Sequence, residues 1–103
     1  MKRSQGIIIA QKFRDALLAK GYPVHRVLLF GSVARDQATE DSDLDIAVIC
    51  DPFLATRQEE NIAMRELCWD VDVRIEPFSL HLDDFQKPFF ALPYEVEREG
   101  VTI

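Results

Sequence analysis

A Gly-Ser pair closing one apolar strand, with Asp-x-Asp opening a second, constrains this chain more than any other feature. The first run is Val27-Leu28-Leu29-Phe30, and Gly31-Ser32 follows it directly. Ten residues lie between Ser32 and Asp43, and Asp43-Leu44-Asp45 then leads into Ile46-Ala47-Val48-Ile49. Alternate residues of a strand share a face, so Asp43 and Asp45 present two carboxylates side by side. Like charges that close repel unless something positive sits between them. A hard divalent cation such as Mg²⁺ meets that need with oxygen ligands shared between carboxylates and substrate phosphates. Gly31 permits close backbone approach, and Ser32 adds a hydroxyl in a turn whose N–H groups can cradle an anion. Together these features outline a phosphoryl- or nucleotidyl-transfer centre.

The pattern Gly-Ser-x10-Asp-x-Asp resembles that of the polymerase-β-type nucleotidyltransferase superfamily. In length and local wording (FGSVAR, then SDLDIAV) the chain is most similar to the minimal nucleotidyltransferases, the MNT proteins. The clear match runs from about Val27 to Val48, with a weaker continuation to the end.

The chain has 103 residues, which suits one domain spanning 1–103 with one core. Apolar residues make up 48%, as in ordinary globular proteins. With 12 Lys+Arg against 18 Asp+Glu the formal net charge is -6, which argues against direct nucleic-acid binding through a broad basic surface. Cys50 and Cys68 are widely spaced, so we expect buried reduced thiols in a cytoplasmic protein. The apolar run Ile7 to Ala10 is too short for a signal core or a membrane span.

Periodicity predicts a first helix over about Ser4 to Lys20, with Ile9, Phe13, Ala16 and Leu17 inward and Gly21 as its C-terminal cap. Val24 to Phe30 reads as a strand apolar on both faces; His25 near its start is a half-exposed histidine with no assigned role. Val33 to Asp36 reads as a short helical turn. There Arg35 is either a phosphate contact or a solvated side chain. Leu44 to Cys50 forms the second strand. Asp51-Pro52 reads as the start of a helix reaching Cys68, with Ile62, Ala63, Leu67 and Trp69 toward the core. Its charged residues, Arg57, Glu59, Glu60, Arg65 and Glu66, read as a solvated face. Trp69 to Pro77 alternates as a third strand, with Val71, Val73 and Ile75 on one face and Asp70, Asp72, Arg74 and Glu76 on the other. Ser79 reads as the cap of a short turn, Leu80 to Phe85, and Phe89, Phe90, Leu92 and Tyr94 as core. A final short helix begins near Pro93 and ends at Gly100. The element order predicts an α/β (α+β) fold: a small mixed sheet of three to four strands with helices packed on it, as in polymerase-β-like nucleotidyltransferases.

The resemblance implies a third carboxylate on a strand after Asp-x-Asp. Asp72, between Val71 and Val73, fits best on this strand reading, and Asp70 is the alternative. It further implies two Mg²⁺ held by Asp43, Asp45 and Asp72, with Gly31, Ser32 and Arg35 binding the nucleotide. Transfer of AMP from ATP to a hydroxyl is the implied reaction. MNT proteins pair with a small helical HEPN protein, an RNase toxin, and act as antitoxins by adding AMP to a tyrosine of that partner. The expected partners are therefore a nucleoside triphosphate and a HEPN protein in a hetero-oligomer, with a homo-oligomer also open and no membrane. Asp36 departs from the family, which commonly has Gly there. It puts negative charge near the phosphate, although aspartate tolerates unusual turn conformations. Two other classes compete: an antitoxin that neutralises its partner by contact alone, and an ordinary α/β domain carrying the pattern by coincidence.

Overall fold

The computed structural model describes residues 1–103. Four strands form one mixed sheet, flanked by helices in the order α1 (Arg3–Ala19), β1 (Val24–Phe30), α2 (Gly31–Ala34), β2 (Leu44–Cys50), α3 (Arg57–Cys68), β3 (Ile75–Leu80), α4 (Leu92–Glu99) and β4 (Val101–Thr102). A 3₁₀ turn over Leu82–Gln86 precedes α4. The spatial order is β3-β2-β1-β4. β1 runs antiparallel to both β2 and β4, whereas β2 and β3 are parallel and joined through α3.

Strand alternation explains why both faces of this sheet are apolar. Val27 and Leu29 of β1 join Leu44, Ile46 and Val48 of β2 on the face covered by α1, where Ala10, Phe13 and Leu17 are fully buried. Burying a side chain such as Phe13 or Leu17 contributes about 1.5–3 kcal/mol. Leu28 and Phe30 point the other way, with Ala47, Ile49 and Leu80, and meet Val96 of α4. The central strands are therefore apolar at nearly every position, as two-sided burial requires. α1 ends as expected, with Gly21 at φ +79° beyond it. Cys50 and Cys68 are buried free thiols, and no helix is long and apolar enough to cross a membrane.

Several expectations are corrected. β3 begins at Ile75 and runs on through Pro77 to Leu80; Trp69 to Arg74 form turns. Proline is tolerated because β3 is an edge strand and needs no partner there. The exposed edge is blunted again where the Asn61 side chain accepts from the Ser79 N–H at 2.7 Å. Ser79 thus lies in the strand, and His81 precedes the following turn. Helix α3 starts five residues late: Thr56 is its N-cap, accepting from Glu59 N–H, while Asp51 bonds His25 at 2.8 Å. Glu60 is fully buried rather than solvated, and its carboxylate holds the preceding loop by accepting from Phe53 and Leu54 N–H. Ile62, Trp69, Phe89 and Tyr94 are exposed, whereas Phe90 and Leu92 pack on the smaller cluster.

Candidate active site

The Gly-Ser turn and Asp-x-Asp meet because β1 and β2 pair antiparallel with Phe30 opposite Asp45. Gly31 leaves the strand at φ +77°, a conformation that L side chains rarely adopt. A Cβ at this position would collide with Asp45 Oδ2, so Gly31 supplies both the turn and the room for that carboxylate. Helix α2 then begins at Gly31 itself, with Ser32 half-buried on its first turn. Asp36 adopts φ 59°, the left-handed conformation in which aspartate substitutes for glycine. Its carboxylate accepts from the Arg3 N–H at 3.3 Å, which draws it to the start of α1, where the helix dipole favours a negative charge.

Asp43 is exposed at the entrance to β2 and Asp45 is half-buried two residues on. Burial, then the charges of Asp43 and Glu76, push Asp45 up to about 6; Arg35 opposes the shift and Glu95 of α4 adds to it. No hydrogen bond or ion pair is made to the Asp45 carboxylate within the chain to offset its burial and its acidic neighbours.

The acid that β3 places opposite Asp45 is Glu76. Parallel pairing sets Asp45 opposite Glu76, because β3 starts at Ile75 and its polar positions fall accordingly. Asp72 lies before the strand, where Arg74 donates from Nε and Nη2 at 3.0 and 2.8 Å. That pairing holds Asp72 below the usual carboxylate range. Asp70 is exposed in the same turn region. The expectation that Asp72 or Asp70 lies on the strand beside Asp45 is thus replaced, because the strand was drawn too early in the chain. The useful signal was the alternation continuing through Ile75, Pro77 and Ser79, which ending the strand at proline concealed.

Glu76 is turned toward Arg65 of α3, which donates to it at 2.6 Å. Arg35 donates to Glu99 of α4 at 2.9 Å, so it faces the helix while its charge still reaches Asp45. The donor types suit a hard divalent cation: Asp43 at the entrance to β2, Asp45 on it and Glu76 opposite Asp45 on β3 are all carboxylates, and the charges of Asp43 and Glu76 bear on Asp45. The three carboxylates do not converge within 4.8 Å in this arrangement, and Glu76 is held by Arg65.

A second acidic region lies at the far end of β2 and β3. Glu60 accepts from Ser79 Oγ at 2.8 Å and contacts His81 Nε2 at 2.7 Å, in addition to the two backbone donors. Donor atoms of Cys50, Glu60 and His81 lie within 4.8 Å of one another. Buried Asp84 receives Arg57 and Lys87, each at 2.9 Å, and the His81 N–H at 2.8 Å. Both oxygens of Glu60 are engaged, so this is a clasp for the loops rather than an open site. Reading Glu60 as surface in the sequence missed it.

The nucleotidyltransferase domain family matches residues 10–91. A structure from Sulfolobus solfataricus, described as that of a candidate nucleotidyltransferase, superposes with a TM-score of 0.64 at 15% identity, covering 97% of this chain and 80% of that one. A toxin–antitoxin structure with AMP-PNP gives a TM-score of 0.64 at 21% identity, covering 90% of this chain and 70% of that one. A variant of the toxin–antitoxin pair MntA–HpeT gives 0.64 and 21%, with 90% and 69% covered. No curated protein sequence matches significantly. With the family match spanning most of the fold and the Gly-Ser and Asp-x-Asp elements inside it, the chain belongs to the nucleotidyltransferase domain family.

Proposed function

We propose that this chain transfers a nucleoside monophosphate, AMP from ATP, to a hydroxyl of a partner protein, a tyrosine of a helical HEPN RNase, and thereby acts as its antitoxin. The observation that carries this reading is the uncompensated charge on adjacent Asp43 and Asp45 beside the Gly31-Ser32 turn. The likeness to a toxin–antitoxin structure with AMP-PNP supports it.

Asp43, Asp45 and Glu76 would hold Mg²⁺, which supplies charge neutralisation on the triphosphate and lowers the pKa of the attacking hydroxyl. The chain's own residues do the rest. Gly31 and Ser32 seat the β- and γ-phosphates at the turn, and Arg35 stands close enough to add positive potential. Asp43 and Asp45 would act on the α-phosphate only through the cation they hold, with the turn on one side and β3 on the other. The acceptor oxygen bonds to the α-phosphorus as its bond to the bridging oxygen breaks; pyrophosphate leaves and the hydroxyl proton passes to solvent.

Label transfer tests this. The protein is incubated with Mg²⁺ and α-labelled ATP, with and without the product of the adjacent gene. The expected result is label on that product with wild type and none with the Asp43→Asn/Asp45→Asn double mutant. Label persisting with the double mutant would contradict the proposal. A contact-only antitoxin is the second reading, favoured by the exposure of Phe89 at 86% and Tyr94 at 48%. Equal protection of cells by wild type and the double mutant would select it.

A further inference from the structure

Resting on the nucleotide-binding part of the reading above, we propose that Glu99, at the end of α4, is the positioning residue for Arg35: it holds the guanidinium so that Nη2 meets an oxygen of the β- or γ-phosphate at the Gly31-Ser32 turn. Arg35 belongs to that turn through the backbone. Its N–H donates to the Gly31 carbonyl at 3.1 Å, and the Gln37 N–H donates to the Ser32 carbonyl at 2.8 Å. The side chain is then held from two directions. Nε donates to Gln37 Oε1 at 3.2 Å and Nη1 donates to Glu99 Oε2 at 2.9 Å, while Nη2 has no acceptor in the chain. A long side chain fixed at Nε and Nη1 has lost much of its rotamer freedom before a ligand arrives, so a further bond to phosphate orders little more. Its charge already reaches the acidic centre, where it opposes the upward shift of Asp45.

This placement of Glu99 costs stability. The side chain is only 16% exposed, and Oε1 is buried with no hydrogen-bond partner. A parallel fork from Arg35 would satisfy both oxygens and is the stronger arrangement. The single bond instead leaves a buried acceptor unpaired and keeps Nη2 open. The backbone on either side of Glu99 is fixed tightly enough to hold this geometry. Buried Val96 packs α4 on Leu28 and Phe30, and the Gly100 N–H closes the helix onto the Val96 carbonyl at 2.8 Å. A Cβ at Gly100 would collide with that carbonyl, so glycine lets the chain pass this closely from α4 into β4. Val101 and Thr102 then pair with Leu29 and Leu28 of β1, the strand that runs into Gly31. Glu99 is thus tied through β1 to the same turn that Arg35 is tied to through α2.

The test is equilibrium binding of a non-transferable ATP analogue and of AMP, each with Mg²⁺, with the melting temperature recorded for every variant. Glu99→Ala should weaken the analogue by about tenfold and leave AMP within about twofold, since AMP lacks the phosphates that Nη2 would meet. Glu99→Gln keeps an acceptor oxygen for Nη1 and should recover most of the loss. The Arg35→Ala/Glu99→Ala double mutant should bind the analogue no more weakly than Arg35→Ala alone. Equal losses for the analogue and AMP, or additive losses in the double mutant, would mean a merely structural role and overturn the proposal. Tighter analogue binding by Glu99→Ala would make Glu99 a competitor for Arg35 and overturn it as well. If wild type and Glu99→Ala bind the analogue equally, this inference fails and the transferase reading stands; if wild type binds neither nucleotide, both fail.

Discussion

The two ends of the parallel pair β2 and β3 carry acids under opposite conditions. At the far end Glu60 and Asp84 are fully buried, yet hydrogen bonds and cations surround them, and both are held below the usual carboxylate range despite the burial that opposes this. At the near end Asp45 is only half-buried, but its neighbours are other acids and it is pushed up to about 6. Burial alone therefore does not distinguish structure from function. What separates the two ends is whether the chain itself supplies the compensating charge. One end is finished by folding; the other is where the proposed function puts a cation and a substrate.

The largest expected effect breaks the near end. Asp45→Asn or Asp43→Asn should lower label transfer by at least about 10²–10³-fold, while thermal unfolding shows a melting temperature equal to or above wild type. Glu76→Gln should lose activity on a similar scale, whereas Asp72→Asn should keep it within a few-fold; parallel rate measurements decide which acid belongs to the centre. At the far end the effect is on stability. Asp84→Asn should cost up to about 3 kcal/mol in urea unfolding, below the range for fully buried pairs because Arg57 and Lys87 keep some solvent. Activity per folded molecule should survive.

The smallest effect sharpens the comparison through pH. Asp45 binds a proton more readily folded than unfolded, so its ionisation costs stability as pH rises from about 4 to about 6. Asp84 and Glu60 act the other way: their contribution is present above the ordinary carboxylate pKa and is lost as pH falls below it. The stability gained by Asp45→Asn over wild type should accordingly grow by about 1–2 kcal/mol between pH 4 and 7, allowing for partial exposure. Urea titrations at the two pH values check this. A constant difference would mean that solvent screens the acids at the near end.

The near end was the more legible in the sequence. Gly31, Ser32, Asp43 and Asp45 are adjacent to strands whose apolar runs are hard to misread, and the spacing alone brings them to one place. Glu76 was hidden because its assignment depends on where a parallel strand starts, and Pro77 looked like an end when it is an edge position. The far end was illegible for a different reason. Glu60 sits among charged residues of a helix, and only tertiary contacts with β3 and the loop before α3 make it internal. Trp69 was assigned inward by its hydrophobicity, but it caps α3 beyond the buried stripe formed by Met64, Leu67 and Cys68.

The most direct test of the difference between the two ends is Mn²⁺ binding, followed by electron paramagnetic resonance with a non-transferable ATP analogue present. Wild type, Asp45→Asn, Glu76→Gln and Glu60→Gln would be compared, each confirmed folded by circular dichroism. Mn²⁺ bound by wild type and Glu60→Gln, and lost from Asp45→Asn and weakened in Glu76→Gln, is the predicted result. Mn²⁺ retained by Asp45→Asn but lost from Glu60→Gln would move the metal to the far end and contradict the account.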